Sequence, residues 1–295
     1  MTSPDSTTPI LRFAPSPNGY LHLGHAYSAL RNERVAREIG GQLMLRIEDI
    51  DPQRSRPEYE AAIYEDLAWL GIEWAGSVRK QSQHLSEYEI ALERLSASGL
   101  VYPCFCTRGD VAAAVDQLAA SQGSWPRDPD GSPFYPGTCK RLSDQDKDRR
   151  IASGLHAAMR LDMQAALAQG QDKIGWSEYF EGSEARDVNA EPSIWGDAVI
   201  ARKDVPTSYH LAVVVDDALQ GVTDVVRGMD LFNATSLHRL LQTLLDLPAP
   251  RYHHHRLIED DIGRKLAKSE GSPTLRSLRA EGVTAQDIRA RLGFA

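Results

Sequence analysis

The stretch that most constrains the fold is residues 10–47. Ile10 to Ala14 is an apolar run of strand character. Ala26, Ala29, Leu30, Val35, Ala36 and Ile39 then recur at helical spacing, and Gly40-Gly41 stops that helix before a second apolar run, Leu43 to Ile47. The pattern therefore reads strand, helix, strand. Such a unit calls for a parallel sheet, because parallel neighbours need a crossover and cannot be joined by a hairpin. In open parallel sheets ligands bind outside the carboxyl ends of strands. Arg12, Phe13, Ala14, Pro15 and Ser16 at the end of the first strand and Glu48 at the end of the second would then face one crevice. Between them runs Pro15-Ser-Pro-Asn-Gly-Tyr-Leu-His-Leu-Gly-His25. It sets His22 and His25 at a strand-to-helix turn, with Gly19 and Gly24 allowing close backbone approach and the N–H groups of the helix start suiting a phosphate. By itself the same turn could be a loop whose histidines only cap the helix.

Composition sets wider bounds. A chain of 295 residues, 42% apolar and 25% charged, reads as a globular protein with one large domain or two modest ones. The formal net charge of -8 argues against wrapping by nucleic acid through bulk attraction, although a local basic face remains open. No apolar run approaches the ~20 residues of a membrane span, and Met1 to Thr8 lacks the basic and apolar regions of a secretory signal. A cytoplasmic protein with no membrane partner is expected. The three cysteines, Cys104, Cys106 and Cys139, cannot all pair, so metal binding or plain burial is expected in a reducing compartment.

Further along, helical patterns occupy 57–70 and 85–98, closed by Gly71 and Gly99, with Lys80-Gln81-Ser82 as a connecting segment. The texture changes near residue 101. Thr107 can cap an alanine-rich helix to about Ala120, 121–133 is a Gly/Pro-rich loop, and a short polar helix lies near 143–152. Ile194 to Ala201 reads as a strand. Leu211 to Val215 reads as another, with Asp216-Asp217 capping the turn after it. The strand Asp224 to Val226 precedes a strongly amphipathic helix from about Asn233 to Leu245. His253, His254 and His255 read as partly exposed residues before a short strand, Leu257-Ile258, because neighbours on a strand point to opposite faces and cannot converge on one metal. A basic loop, Gly263 to Ser269, and two helices near 273–292 follow.

A histidine pair after the first strand and a Lys-x-x-Lys-Ser loop after the last suit ATP chemistry that needs no protein nucleophile. When a carboxylate attacks the α-phosphate, negative charge gathers on phosphate oxygens, and donors that fit it better in the transition state lower the barrier. In this order the two stretches resemble the HIGH and KMSKS signatures of class I aminoacyl-tRNA synthetases, with Ala267 where that family more often has Ser or Met. Arg46-Ile-Glu-Asp-Ile-Asp51, Tyr209-His-Leu-Ala-Val-Val-Val-Asp-Asp217 and Val226-Arg-Gly-Met-Asp230 are similar to the glutamyl branch.

The resemblance implies an α/β chain. Its Rossmann-type parallel sheet would be divided into a first half at 1–100 and a second at 191–250, around an inserted zinc-containing α+β subdomain at 101–190, with the lysine loop and a short helical remnant at 251–295. Only 27 residues follow Lys268, where a full synthetase of this branch continues for more than about a hundred into a helical anticodon-binding domain. The likeness is therefore to the group that lacks that domain, which activates L-glutamate with ATP as glutamyl-adenylate and transfers it to queuosine in the anticodon loop of tRNA(Asp). Carried over by residue, Arg12 to Ser16, Glu48, Tyr209 and Arg227 bind L-glutamate: guanidinium forks suit its carboxylates and Glu48 its ammonium. His22, Gly24, His25, Lys265 and Lys268 would meet ATP, with His22, His25 and Lys268 catalytic and Mg²⁺ held mainly by phosphates and water. Cys104, Cys106, Tyr135 and Cys139 match one structural Zn²⁺ site, although 28 residues separate Cys106 from Tyr135. A monomer is expected. Two other readings are a truncated glutamyl-tRNA synthetase charging a tRNA 3′ end and a non-catalytic paralogue with a regulatory binding role.

Overall fold

The structure is a computed structural model that describes residues 8–169, 174–180, 184–258 and 273–294. The first third forms β1 (Ile10–Phe13), α1 (Leu23–Glu38), β2 (Gln42–Ile47), α2 (Pro57–Trp69), β3 (Arg79–Lys80) and α3 (Leu85–Ala97). The middle holds β4 (Val101–Cys104), α4 (Arg108–Gln122), α5 (Asp144–Ala152), β5 (Ala158–Leu161), α6 (Met163–Gln169), β6 (Gly175–Glu178), β7 (Arg186–Asn189) and β8 (Val199–Ala201). Then come α7 (Tyr209–Leu219), β9 (Asp224–Gly228), α8 (Ala234–Leu244), β10 (Arg251–His255), α9 (Leu275–Ala280) and α10 (Ala285–Leu292).

One sheet has the order β3-β2-β1-β9-β10-β6-β7, parallel throughout except for the β6–β7 hairpin. A small antiparallel sheet, β4-β5-β8, stands apart from it. Chain order reverses between β1 and β9, so their carboxyl ends open the crevice expected at a switch point.

Alternation along the strands divides the large sheet into an apolar and an ionic face. Leu11, Phe13, Leu43, Leu45, Ile47 and Val226 pack with α1, α2, α9 and α10 in one core. The residues between them, Arg12, Arg46 and Arg227, point the other way, towards α7 and α8, whose apolar residues build a second core with α3 and α6. Arg46 is fully buried, a position an arginine tolerates only when its charge is matched and its donors are used.

Several local expectations are corrected. Leu211 to Val215 is not a strand but the middle of α7. Three consecutive valines favour a strand by propensity, yet this helix is buried along Leu211 to Asp217, so its apolar character carries no helical period to read. Asp216 and Asp217 lie inside that helix as buried ion-pair partners instead of capping a turn. Pro192–Trp195 is a turn of 3-10 helix, leaving only Val199–Ala201 as strand. Lys80 belongs to the edge strand β3, and Gln81–Gln83 is a second 3-10 turn. Among the described residues the last strand is the histidine run itself, not Leu257-Ile258, and all three histidines are buried. They avoid convergence as alternation requires: His253 meets Asp224, His254 meets Glu178 and Arg227, and His255 packs on Tyr27. No helix among the described residues is long and apolar enough to cross a membrane.

Candidate active site

A cavity of about 570 Å³ lies outside the carboxyl ends of β1, β2 and β9. It is lined by Arg12 to Ser16, His22, Gly24, His25, Glu48, Tyr209 and Arg227, residues singled out from the sequence, together with Asn18, Ser28, Asp230, Leu231 and the segment 255–258. Lys265 and Lys268 lie outside the described residues.

The histidine turn is built by the helix it precedes. His22 is the N-cap of α1: its Nδ1 accepts the Gly24 N–H at 3.1 Å, and His25 Nδ1 accepts the His22 N–H at 3.2 Å, closing a capping box from two imidazoles. Because both Nδ1 atoms accept, each neutral ring carries its proton on Nε2. Gly24 matters for a reason other than ligand approach, since a Cβ there would sit 2.9 Å from His22 Cε1. The ring that caps the helix needs that space.

The cation side is held by two different devices. Arg12 Nε donates to Asp217 Oδ1 at 2.9 Å, and the same oxygen accepts Arg46 Nη1 at 2.8 Å. Burial alone would raise the Asp217 pKa, but the two guanidinium groups hold it below the usual carboxylate range. The terminal nitrogens of Arg12 have no protein partner among the described residues. Arg227 instead donates to His254 Nε2 and His238 Nδ1, each at 3.1 Å, to Thr235 Oγ1 at 2.7 Å and to the Leu231 carbonyl at 3.2 Å.

Glu48 receives Arg46 Nη2 on Oε1 at 3.2 Å, which leaves Oε2 for the cavity. Burial pushes its pKa up despite Arg46 and Arg12 nearby, so an arriving ammonium would find a carboxylate with unmet demand for a cation. Burial also pushes the Tyr209 hydroxyl up to about 12, which keeps it a neutral donor beside the two arginines. The pocket thus offers two guanidinium cations, an anion and a hydroxyl on one side, and two imidazole donors with a helix start on the other. That set fits an amino acid with two carboxylates next to a polyphosphate.

Sequence reasoning missed the groups that orient these side chains: Asp217, His238, His254, Thr235 and Glu178. Asp217 follows Tyr209 by eight residues, close to two helical turns, so reading α7 as a helix would have put both on neighbouring positions of one side.

A second cluster lies beside the small sheet. The Sγ atoms of Cys104, Cys106 and Cys139 lie within 4.8 Å of one another, with Cys106 and Cys139 at 3.5 Å. Tyr135 Oη lies 3.3 Å from Cys106 Sγ and accepts the Cys139 N–H at 2.8 Å. Zinc–sulfur bonds of about 2.3 Å in a tetrahedron put sulfurs about 3.8 Å apart, so the set is near the size of such a site and could hold a metal. The 121–133 loop between its ligands closes on itself: the Arg127–Pro133 bridge and a bond from Trp125 Nε1 to the Phe134 carbonyl tie its ends together.

Comparison with known proteins agrees with this geometry. Residues 10–292 match the family "tRNA synthetases class I (E and Q), catalytic domain". The chain is 47% identical over 291 residues to a glutamyl-Q tRNA(Asp) synthetase of Rhodobacter capsulatus, covering 97% of this chain and 100% of that one. It is 38% identical to glutamate–tRNA ligase 2 of Nitrosococcus oceani, covering 96% of this chain and 58% of that one. Among solved structures, a glutamate-tRNA synthetase from Elizabethkingia anophelis superposes with a TM-score of 0.73 at 24% identity, covering 94% of this chain, which spans only 54% of that longer protein. The chain therefore belongs to the class I tRNA synthetases of the glutamate and glutamine branch, a family of ligases, and within it to the glutamyl-Q tRNA(Asp) synthetases.

Proposed function

We propose that this protein activates L-glutamate with ATP and transfers it to the cyclopentenediol of queuosine in tRNA(Asp), acting in the cytoplasm. The observation that carries the reading is a single cavity with Arg12, Arg227, Tyr209 and Glu48 on one side and the two-histidine cap of α1 on the other. Arg12, Arg227 and Tyr209 hold the carboxylates and Glu48 the ammonium, which leaves one α-carboxylate oxygen to attack the α-phosphorus as pyrophosphate departs. The Nε2–H groups of His22 and His25 and the N–H groups opening α1 meet the charge that grows on phosphate oxygens. Lys265 and Lys268 would add cations, and Mg²⁺ would come with the nucleotide. A queuosine hydroxyl then attacks the acyl carbon and AMP leaves.

Glutamate-dependent exchange of labelled pyrophosphate into ATP is expected without any tRNA. Labelled glutamate is then expected on tRNA(Asp) that carries queuosine and not on tRNA(Asp) that lacks it. A strict tRNA requirement for exchange, or equal labelling of both tRNAs, would favour charging at a 3′ end, the reading that the likeness to a glutamate–tRNA ligase also supports. No exchange at all would favour a non-catalytic paralogue.

Cys104, Cys106, Tyr135 and Cys139 would hold one structural Zn²⁺. Three soft thiolates with a phenolate suit zinc, and structural zinc supplies folding energy to small regions such as 104–139. About one zinc per chain is expected by elemental analysis. Chelation should produce a separate low-temperature unfolding step while glutamate-dependent exchange survives below it, because no ligand lines the cavity. Purified protein with no zinc, and no change on chelation, would defeat the assignment.

A further inference from the structure

We infer that His238 and His254 are positioning residues that hold Arg227 with neutral acceptors, so that its positive charge stays available to a substrate carboxylate. The inference rests on the proposed glutamate site and concerns how one of its two arginines is prepared.

Guanidinium has donors only, so a ring nitrogen in hydrogen-bond reach of it must present a lone pair. Arg227 Nε lies 3.1 Å from His254 Nε2 and Nη1 lies 3.1 Å from His238 Nδ1. Both facing nitrogens are therefore unprotonated, and the remaining nitrogen of each ring carries the proton. Those protons have partners. His254 Nδ1–H donates to Glu178 Oε2 at 2.7 Å, and His238 Nε2–H donates to His210 Nδ1 at 3.1 Å. Glu178 is itself fixed, accepting the His254 backbone N–H and Trp176 Nε1, each at 2.8 Å. Each tautomer is thus set from both sides. Burial lowers the pKa of His254 and of His210 to about 4 and that of His238 well below its ordinary value, with Arg227 adding to the effect, so all three are neutral near pH 7.

The other contacts of Arg227 are neutral as well: the Thr235 hydroxyl, the Leu231 carbonyl and the face of Tyr252, 5.2 Å from the guanidinium carbon. The carboxylate in this set, Glu178, is separated from Arg227 by the His254 ring. Arg12 differs, since Asp217 binds its Nε directly. The two arginines of the cavity are therefore unequal. Arg12 is oriented by an anion that offsets part of its charge, and Arg227 is oriented by rings that offset none. A charge-assisted bond is roughly twice as strong as a neutral one, so the second arrangement leaves the stronger grip for the ligand.

A pair of near-isosteric substitutions separates this role from simple packing. Asn and Asp at position 238 both place an oxygen near the site of Nδ1, but only Asp brings a charge. His238→Asp is expected to raise the KM for glutamate by about tenfold or more in pyrophosphate exchange, the loss of the charge-assisted part of one contact. His238→Asn should stay within about threefold, and the KM for ATP should hold in both. Equal glutamate KM values in the two variants would overturn the inference. A readout on the unsubstituted protein decides it even if His238→Asp does not fold: nitrogen NMR of the imidazoles should find His238 Nδ1 and His254 Nε2 unprotonated at neutral pH, and an imidazolium signature at either would overturn it. A wild-type protein with no glutamate-dependent exchange would defeat the functional reading instead, and the NMR result would still decide the tautomers.

Discussion

Replacing Arg227 with glutamine is expected to lower kcat/KM for glutamate in pyrophosphate exchange by roughly a thousandfold, because truncating one partner of a desolvated charge pair costs about 2–5 kcal/mol. The KM for ATP should change little, since the proposed phosphate donors, His22 and His25, lie on the other side of the cavity. Arg227→Lys should recover only a small part of the loss. Lysine keeps a point charge but cannot reach His238, His254 and Thr235 at once while also meeting a carboxylate. A glutamate KM within threefold of wild type in Arg227→Gln would remove this residue from the site.

The second large effect concerns stability. Asp216 is fully buried and accepts Arg79 Nε at 2.7 Å, Gln81 Nε2 at 2.8 Å and the Tyr88 hydroxyl at 2.9 Å, with Arg46 Nε at 3.7 Å. It joins α7 to β2, β3 and α3 through one carboxylate. Asp216→Ala would take a fully buried acceptor from Arg79, Gln81 and Tyr88 and one of three carboxylates from Arg46, although Arg79 keeps Glu87, at a cost of about 3–5 kcal/mol. For a chain of this size that corresponds to a melting temperature lower by roughly 5–8 °C. Asp216→Asn keeps the shape and one acceptor and should cost less. An alanine variant melting within about 2 °C of wild type would mean that the network contributes nothing net.

Much of the cavity was legible because its residues sit where chain geometry is simplest to read. Arg12 to Ser16 and Glu48 follow directly from strands that end at a crevice, and the His22–His25 turn follows from a glycine-punctuated strand-to-helix switch. The orienting groups were hidden for two physical reasons. In α7 a helix buried along most of its length erases the 3.6-residue period, and three valines then speak for a strand. In β10 three histidines look like solvent-facing residues until Asp224, Glu178 and Arg227, distant in sequence, turn out to be their partners. Burial of a polar side chain is a property of pairs, and a single chain read in order gives no pairs. The 121–133 loop, in contrast, was plain from its proline and glycine content.

In the proposed reaction, the imidazole cap of α1 has a consequence for how the nucleotide is met. A histidine that waits in solvent must choose a tautomer and a rotamer when its ligand arrives, and loses freedom at that moment. His22 and His25 have made both choices already, because a backbone N–H fixes Nδ1 in each ring. Their orientation is inherited from secondary structure, so the entropy of aligning two donors is lost once, in folding, and is not lost again at each turnover.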